Sequence, residues 1–298
     1  MRVIRAQSAG FCWGVERAID IARDFAKTGH HPVYTDGPLI HNSQMMDRLQ
    51  NEGIREVGNY QSSSKLALDG SEEENAVLVV RAHGISPERR QYLKSLGIQF
   101  KDATCPDVGI VAGKIRMHAK KGYTTVIFGD KNHPEVIGLM GYTEGKGHVV
   151  HSVEDIDALP ELGEKVVMVS QTTMFTDDFE NLAAHLRKQY PSLLIFDTIC
   201  GATKDRQGDI AVLFDQGVEA FVVIGGHHSA NTCKLALLAR KTKLPTYHIE
   251  TVKEINAEEM SQYRTIGVTA GASTPEFLIT QVCDHLASID HQQATAGS

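Results

Sequence analysis

Short apolar runs and longer amphipathic stretches alternate along this chain. The stretch 76–81 is apolar without alternation up to its final residue, Arg81, which is typical of a strand that is buried on both faces. Residues 14–27 instead carry apolar side chains at helical spacing, and Gly29 follows them as a stop. The alternation predicts a chain that is built from repeated strand–loop–helix units.

The same patterns place an element on most of the chain. They predict strands near residues 3–6, 32–35, 76–81, 98–101, 124–128, 148–150, 166–169, 193–197, 220–224, 246–249 and 265–268. They predict helices near residues 14–27, 43–51, 87–95, 108–121, 135–142, 177–189, 204–216, 232–240 and 275–287. The polar stretch 58–75 is expected to be an irregular surface excursion, and the small polar tail 289–298 is expected to be disordered.

Strands that alternate with helices predict an α/β fold with parallel sheets and right-handed crossovers. In such sheets, ligands bind beyond the carboxyl ends of the strands. The polar loops of this chain follow predicted strands, so its chemistry is expected at those strand ends.

The length of 298 residues predicts about two domains of roughly 150 residues each. Three cysteines spaced about 95 residues apart favour three units instead, which is still an ordinary domain size. The expected boundaries are 13–105, 106–199 and 200–288, with the N-terminal strand in 1–12 near the centre.

Composition excludes several classes of protein. A net charge of −7 argues against a broad nucleic-acid surface, which needs clustered Lys and Arg. No run approaches the roughly 18 apolar residues of a membrane span, and the N-terminus has no apolar signal region. Five cysteines, an odd number with long spacings, do not suggest a secreted disulfide framework. We therefore expect a cytoplasmic protein whose thiols are buried, catalytic or metal-bound.

Cys12, Cys105 and Cys200 share a local setting, because each follows a short extended run and precedes a predicted helix. Three unrelated buried thiols are the plain alternative, but the matching loops favour one shared site. Structural zinc normally takes four ligands, often as close Cys pairs, and no such pair occurs here. Three thiolates suit an iron–sulfur cluster with one iron left open. Cys233 and Cys283 lie within helical patterns among apolar residues and are expected to be core residues.

Nine short motifs occur in order between about residues 3 and 287. They are Gly10-Phe11-Cys12, His41-Asn42, Ala82-His83-Gly84, Asp102-Ala103-Thr104-Cys105-Pro106, His133-Pro134-Glu135-Val136, Gln171-Thr172-Thr173, Ile199-Cys200, Ser229-Ala230-Asn231 and Thr269-Ala270-Gly271-Ala272-Ser273. Together they resemble the 4-hydroxy-3-methylbut-2-enyl diphosphate reductase family, which acts last in the methylerythritol phosphate route to isoprenoids. None of the motifs is specific alone, but nine in order are.

The resemblance implies three similar parallel-sheet α/β domains in a pseudo-threefold trefoil around a central iron–sulfur cluster. It implies a [4Fe–4S] cluster on Cys12, Cys105 and Cys200, with one iron not ligated by protein. It also implies a reductive dehydroxylation, in which two electrons and two protons remove an allylic hydroxyl as water. The electron donor is expected to be a ferredoxin or flavodoxin, because no GxGxxG follows a strand convincingly.

The same resemblance assigns roles to the loop residues. Glu135 matches the acid, Thr172 matches a hydroxyl that relays or orients the proton, and His133 also belongs to the catalytic set. The diphosphate is expected to be bound by six residues: His41, His83, His133, Ser229, Asn231 and Ser273. Hydroxyl, amide and imidazole groups near helix N-termini can hold an anion without a lysine cluster. Each has a plain alternative, since Glu135 and Ser273 also suit an ordinary helix start.

Four positions depart from the pattern expected of relatives. They are Trp13, the pair His227-His228 where Lys-Asn is expected, and Ala230 where a Ser or Gly is expected. They bear on the geometry of the diphosphate loop. Two other classes stay open at this point: a thiol hydrolase or transferase with a base such as His83, and a non-catalytic iron–sulfur or metal sensor.

Overall fold

Twelve strands form three four-stranded parallel sheets in the computed structural model, which describes residues 1–29, 32–58, 66 and 75–290. The strands are β1 (Arg2–Arg5), β2 (Val33–Asp36), β3 (Ile54–Val57), β4 (Val77–Val80), β5 (Gln99–Asp102), β6 (Thr124–Phe128), β7 (Gly147–Val150), β8 (Val166–Ser170), β9 (Leu194–Ile195), β10 (Ala220–Ile224), β11 (Thr246–Ile249) and β12 (Thr265–Ala270). Every strand pair is parallel.

Helices separate most of the strands. They are α1 (Trp13–Lys27), α2 (Ser43–Asn51), α3 (Pro87–Ser95), α4 (Pro106–Ala119), α5 (Pro134–Met140), α6 (Val153–Asp157), α7 (Thr176–Gln189), α8 (Gly201–Asp215), α9 (Ala230–Lys241), α10 (Ala257–Met260) and α11 (Glu276–Ser288). The described helices include none that is long and apolar enough to cross a membrane.

The three sheets repeat one strand order. Sheet B has the strand order β3-β2-β4-β5, and sheet C has the order β7-β6-β8-β9. If the strands of each sheet are numbered by their order in the chain, both sheets read second, first, third, fourth. Sheet A runs β11-β10-β12-β1 and matches the same scheme, except that its fourth strand comes from the N-terminus of the chain. The prediction of three similar parallel-sheet α/β units is confirmed.

The cysteines take equivalent places in this repeat. Cys12, Cys105 and Cys200 follow the fourth strands β1, β5 and β9, and α1, α4 and α8 begin at the next residue. A helix N-terminus carries a partial positive charge, which favours negative charge on a group beside it. Because the three cysteines occupy equivalent places in the three sheets, their spacing of about 95 residues reflects a structural repeat.

Central strands supply the cores. Every residue of β4, β6, β8 and β10 is buried, as is expected of strands with helices on both faces. Around sheet A, for example, Phe221 and Ile266 pack with Val282 of α11 in one apolar cluster. Burying such a side chain stabilises the fold by about 1.5–3 kcal/mol. These rigid strands set the positions of the loops that follow them.

Several boundaries differ from the sequence prediction. Strand β3 was not predicted, because its exposed Arg55 and Glu56 break the apolar pattern; pairing with β2 makes it a strand. The short helices α6 and α10 were also missed, although Ser152 and Asp155 form a capping box that marks α6. Helix α4 begins at Pro106 instead of residue 108, since proline suits the first helical position. Most of the excursion 58–75 and the tail 291–298 lie outside the described residues.

The described residues divide into two compact units. Residues 1–12, 41–45 and 201–290 form the A unit, which contains sheet A. Residues 13–40 and 46–200 form the BC unit, which contains sheets B and C. The three predicted domain boundaries stay a prediction.

Candidate active site

Glu135 lies at the start of α5, where the chain leaves strand β6. His133 caps this helix, and its Nδ1 accepts a hydrogen bond from the Glu135 backbone N–H at 3.2 Å. A nitrogen that accepts carries no proton, so the neutral His133 ring holds its proton on Nε2. Glu135 itself is 1% exposed. A carboxyl group so deeply buried needs hydrogen-bond partners within the protein.

Thr172 supplies those partners from the loop after β8. Its backbone N–H donates to Oε1 of Glu135 and its hydroxyl donates to Oε2, both at 2.7 Å. The two loops meet because β6 and β8 are neighbours in sheet C. The sequence analysis predicted both residues for the site, and the structure brings them into direct contact. Both oxygens of the acid are therefore oriented by one residue.

Cys200 is attached to the same threonine. The Cys200 backbone N–H donates to the Thr172 carbonyl oxygen at 3.1 Å. Thr172 thus joins the candidate acid on one side to a candidate metal ligand on the other. This link comes from the pairing of β9 with β8, which aligns the loops that follow them.

The other two cysteines make the equivalent hydrogen bond. Cys105 N–H donates to the Ala82 carbonyl at 2.9 Å, and Cys12 N–H donates to the Ala272 carbonyl at 3.1 Å. In every sheet, the loop after the third strand holds the cysteine that follows the fourth strand. Those accepting loops also contain His83 and Ser273. Cys105 and Cys12 are therefore each anchored beside a predicted substrate-binding residue, and Cys200 is anchored to the predicted relay Thr172.

His83 and His133 lie together within the BC unit. Their rings meet edge to face with centroids 5.5 Å apart. Gly84 follows His83 with a φ of +75°, a conformation that favours glycine. The turn at Gly84 thus directly follows the histidine whose ring contacts the N-cap residue of α5.

The A unit collects a second group of predicted residues. Ser229 caps α9 by accepting from the Thr232 N–H at 3.4 Å. The Ser273 hydroxyl donates to the His41 carbonyl at 3.0 Å. Asn231 accepts the Ala272 N–H at its Oδ1, also at 3.0 Å. The four residues of this unit that were predicted to bind diphosphate thus lie on three chain segments that these hydrogen bonds link.

Asn231 and Glu135 are structurally equivalent. Each is the second residue of the helix that follows the first strand of its sheet. Each accepts a backbone N–H from the loop after the third strand, and the carbonyl of that same residue accepts from a cysteine. The same position of the repeat is therefore occupied by a glutamate in sheet C and by an asparagine in sheet A. Only the carboxyl group of Glu135 can carry a transferable proton.

Gly14 is a functional candidate that the sequence analysis missed. A Cβ atom built on this residue would lie 2.5 Å from Sγ of Cys105. Any side chain here would push the sulfur away, so only glycine lets α1 approach so closely. An isolated glycine within a helical pattern is the signal that could have found it.

Arg206 was missed as well, and no sequence pattern marks it. It is 3% exposed on α8, and its guanidinium donates to the carbonyls of Gly10 at 2.6 Å and Ala202 at 2.7 Å. Gly10 stands two residues before Cys12. Arg206 therefore fixes the path of the Cys12 loop in the A unit.

The donor set fits an iron–sulfur cluster. None of the five cysteines forms a disulfide in the described part of the chain, and Cys12, Cys105 and Cys200 are half-buried. Thiolate is the ligand type that such clusters take, and the backbone of Gly14 leaves the Cys105 sulfur room. The chemistry of these residues thus agrees with the cofactor that was inferred from the sequence.

The expectation for Cys233 was wrong. This residue is exposed on α9, and its Sγ lies 3.0 Å from the His227 carbonyl. Its neighbours in the helical pattern face the core, whereas position 233 falls on the opposite side. Cys283 packs against the core around sheet A as expected, and burial raises the pKa of its thiol.

The unusual pair His227-His228 lies at the turn before α9. The His227 backbone N–H donates to Glu250 at 2.8 Å, and its ring centroid is 4.2 Å from that of His248. The His227 N–H is the main cause that holds the pKa of Glu250 below its ordinary value. His227 thus braces the neighbouring β11 loop.

Comparison with known proteins identifies the family. The family model described as LytB protein matches residues 3–287. The chain belongs to this family. A curated relative from Opitutus terrae, named 4-hydroxy-3-methylbut-2-enyl diphosphate reductase, is 66% identical over 97% of this chain and its own full length. Another of that name, from Aquifex aeolicus, is 37% identical over 96% of each chain.

Two solved structures share the fold. The E-1-hydroxy-2-methyl-but-2-enyl-4-diphosphate reductase from Plasmodium falciparum matches with a TM-score of 0.87 and 28% identity, over 98% of this chain and 90% of its own. A second structure is described as (E)-4-hydroxy-3-methyl-but-2-enyl diphosphate reductase, the terminal enzyme of the non-mevalonate pathway. It matches with a TM-score of 0.70 and 36% identity, over 97% of this chain and 100% of its own.

Proposed function

We propose that this LytB family member reduces 4-hydroxy-3-methylbut-2-enyl diphosphate to isopentenyl diphosphate and dimethylallyl diphosphate. The relatives that cover the full chain carry this activity in their names. The reaction consumes two electrons and two protons, and the allylic hydroxyl leaves as water. The observation that carries the proposal is the chain of contacts from Glu135 through Thr172 to Cys200, because it joins the proposed proton source to the backbone of a proposed metal ligand.

The proposed cofactor is a [4Fe–4S] cluster held by Cys12, Cys105 and Cys200, with one iron not ligated by protein. Their equivalent positions after the fourth strands and before helix N-termini support this ligand set. When bound, such a cluster supplies single electrons and an open iron that polarises the allylic hydroxyl as a Lewis acid. The hydrogen bonds from the backbone N–H groups of the three cysteines keep the ligand loops in place.

Glu135 is the proposed acid, and Thr172 is the proposed relay. The Thr172 N–H occupies Oε1, so the transferable proton belongs on Oε2, which faces the Thr172 hydroxyl. When Oε2 is protonated it donates to the threonine oxygen, and the hydroxyl then turns its own proton towards the leaving oxygen. Burial of both residues keeps bulk water from competing for that proton.

The diphosphate is proposed to bind to His41, His83, His133, Ser229, Asn231 and Ser273. Within this set, His133 offers its Nε2–H, because Nδ1 is used by the Glu135 amide. Ser229 accepts an amide N–H and can direct its own proton to the ligand. Ser273 now donates to the His41 carbonyl and has to rotate to reach a phosphate. Imidazole, amide and hydroxyl donors at helix starts suit an anion of this kind.

A ferredoxin or flavodoxin is the proposed source of electrons. The sequence has no convincing nucleotide-binding glycine motif after a strand, so the electrons have to come from a separate carrier. The cytoplasmic location stays a prediction.

Anaerobic purification provides the test. We expect a coloured protein with about four irons per chain that converts the substrate, under a low-potential reductant, to the two products identified by mass spectrometry. A colourless, iron-free protein that is active with a single essential cysteine would support the thiol hydrolase or transferase instead. A protein that holds the cluster but never turns over the allylic diphosphate would support the sensor.

A further inference from the structure

Four basic side chains line one cavity in the BC unit. Its volume is about 720 Å³, and Arg17, Arg90, Lys94 and Arg116 lie along its wall. The same wall includes Cys105 and Glu135, so the cavity reaches the candidate site. Among the described residues of its wall, the acidic ones are Asp102 and Glu135. In a chain with a net charge of −7, this excess of positive charge is local and opposite to the whole.

The acidic residue Asp102 is already engaged. It forms an ion pair with Arg90 and accepts from the Thr104 hydroxyl at 2.5 Å. Burial acts to raise the pKa of Asp102, but the hydrogen bonds from Thr104 and Arg90 outweigh it and hold that pKa below its ordinary value. Lys94 and Arg116 are exposed, so their positive charges are accessible to a molecule that approaches from solvent.

Large apolar side chains are exposed on α1 and α4, the two helices of the BC unit that begin directly after a cysteine. Trp13 is 49% exposed, Ile110 is 57% exposed and Met117 is 48% exposed. Ile110 and Met117 are seven residues apart on α4, which places them on one face about 10 Å apart along the helix. Trp13 opens α1 and directly precedes Gly14, whose backbone lies against the Cys105 sulfur. Exposed apolar residues with a polar surround are typical of a protein interface.

We propose that this surface is where an acidic protein electron donor docks, and that electrons enter through Cys105. The donor face consists of Trp13, Arg17, Arg90, Lys94, Ile110, Arg116 and Met117. The inference rests on the proposed function, because it needs a reaction that consumes electrons from outside the chain. It goes beyond that function by assigning the partner a surface and a charge.

Charge and chemistry select the occupant. Basic side chains steer an acidic partner and raise the association rate, whereas exposed apolar side chains hold it once docked. Electron tunnelling falls steeply with distance, and Cys105 is the proposed cluster ligand that lines this cavity. Each turnover takes two one-electron transfers, so the donor is oxidised twice while the substrate gains two electrons and two protons and releases water.

Charge reversal tests the surface. The variants are Lys94→Glu and Arg116→Glu for the basic side chains, and Ile110→Ser for the exposed apolar side chains. Lys188→Glu is the matched control, because Lys94 and Lys188 are both exposed lysines in the last turn of a helix, α3 and α7 respectively. Each variant is assayed with an acidic ferredoxin and, separately, with reduced methyl viologen. Iron content and the circular dichroism spectrum confirm that each variant is folded and loaded.

We expect Lys94→Glu and Arg116→Glu to raise the KM for ferredoxin at least tenfold at low salt. The rate with viologen and the KM for the allylic diphosphate should stay within twofold, and Lys188→Glu should behave like the wild type. Ferredoxin affinity of the wild type should also fall as salt rises. Titration calorimetry with ferredoxin gives the same ranking without turnover.

Two results for the variants would overturn the proposal. One is an unchanged KM for ferredoxin in the three variants. The other is a raised KM for the diphosphate substrate with both reductants, since that would make the cavity a path for the substrate's phosphates. A wild-type protein that turns over with viologen but shows no salt-dependent ferredoxin binding removes the docking surface alone. A loaded wild-type protein that turns over with neither reductant removes the proposed function as well.

Discussion

Thr172 holds Glu135 by two hydrogen bonds of 2.7 Å, one from its backbone N–H and one from its hydroxyl. Its carbonyl accepts from Cys200 at the same time, at 3.1 Å. A residue that uses its amide, hydroxyl and carbonyl in this way couples the position of the acid to that of a proposed metal ligand. The consequences can be tested one contact at a time.

Replacement of the acid should separate binding from chemistry. In Glu135→Gln, the side-chain oxygen can still accept the Thr172 N–H and the amide can donate to the threonine oxygen, so the fold and cluster should survive. The transferable proton is lost, and we expect kcat to fall by about 10²–10⁴-fold. Iron analysis and substrate titration should match the wild type. A wild-type kcat in this variant would remove Glu135 from the role of acid.

Thr172 offers a matched pair of substitutions. Thr172→Val keeps the shape but removes the hydroxyl that lies against Oε2, so we expect kcat to fall by at least tenfold with the KM for substrate nearly unchanged. Thr172→Ser restores the hydroxyl and should recover most of the rate. The backbone bonds to Glu135 and Cys200 persist in both variants, so iron content should not change. Equal rates for the two variants would show that the hydroxyl takes no part.

A substitution at Gly14 tests whether the close approach of α1 to the Cys105 sulfur is required. In Gly14→Ala, the added methyl group would meet the Cys105 sulfur at 2.5 Å, which forces α1 and the ligand loop apart. We expect iron and sulfide per chain to fall to less than half, together with the visible absorbance. Gly208→Ala is the control, because a Cβ atom on that α8 residue has no neighbour within 4 Å in the described structure. Full iron loading in Gly14→Ala would show that the close approach is not required.

His248 predicts a pH dependence of stability. Burial is the main cause that lowers the pKa of His248 from 6.5; the nearby His227 and Arg240 act in the same direction, and the Gly225 carbonyl and Glu250 oppose them. The unfolded chain therefore binds more protons than the folded chain in the window between the lowered pKa of folded His248 and about pH 6.5. The free energy of unfolding should rise with pH through this window and should decline as the pH falls below 6.5.

Urea denaturation between pH 5 and pH 7.5 measures this effect. His248→Asn should reduce the slope of the unfolding free energy against pH by up to one proton. His285→Asn is a useful comparison, since His285 is a histidine in the last turn of α11, outside this cluster. An unchanged slope in His248→Asn would assign the dependence to other groups.

Local pattern determined much of the architecture. The runs 124–128 and 220–224 matched β6 and β10 residue for residue, because strands with helices on both faces are buried along their length and favour apolar and β-branched side chains. The helices 43–51 and 87–95 were also correct at both ends, since caps and glycine stops mark them. The candidate chemistry followed from the loops after such strands, where parallel sheets gather their ligands.

Only the tertiary structure decided how those loops pair. Residues 135 and 172 are far apart in sequence, and their contact depends on β6 and β8 being neighbours. Strand β1 completes sheet A beside β12 at the other end of the chain, and no local pattern states that partner. The approach of Gly14 to Cys105 and the equivalence of Asn231 with Glu135 are likewise products of packing. Sequence periodicity reports which face of an element is buried, whereas the choice of partner depends on long-range strand order and on the space between side chains.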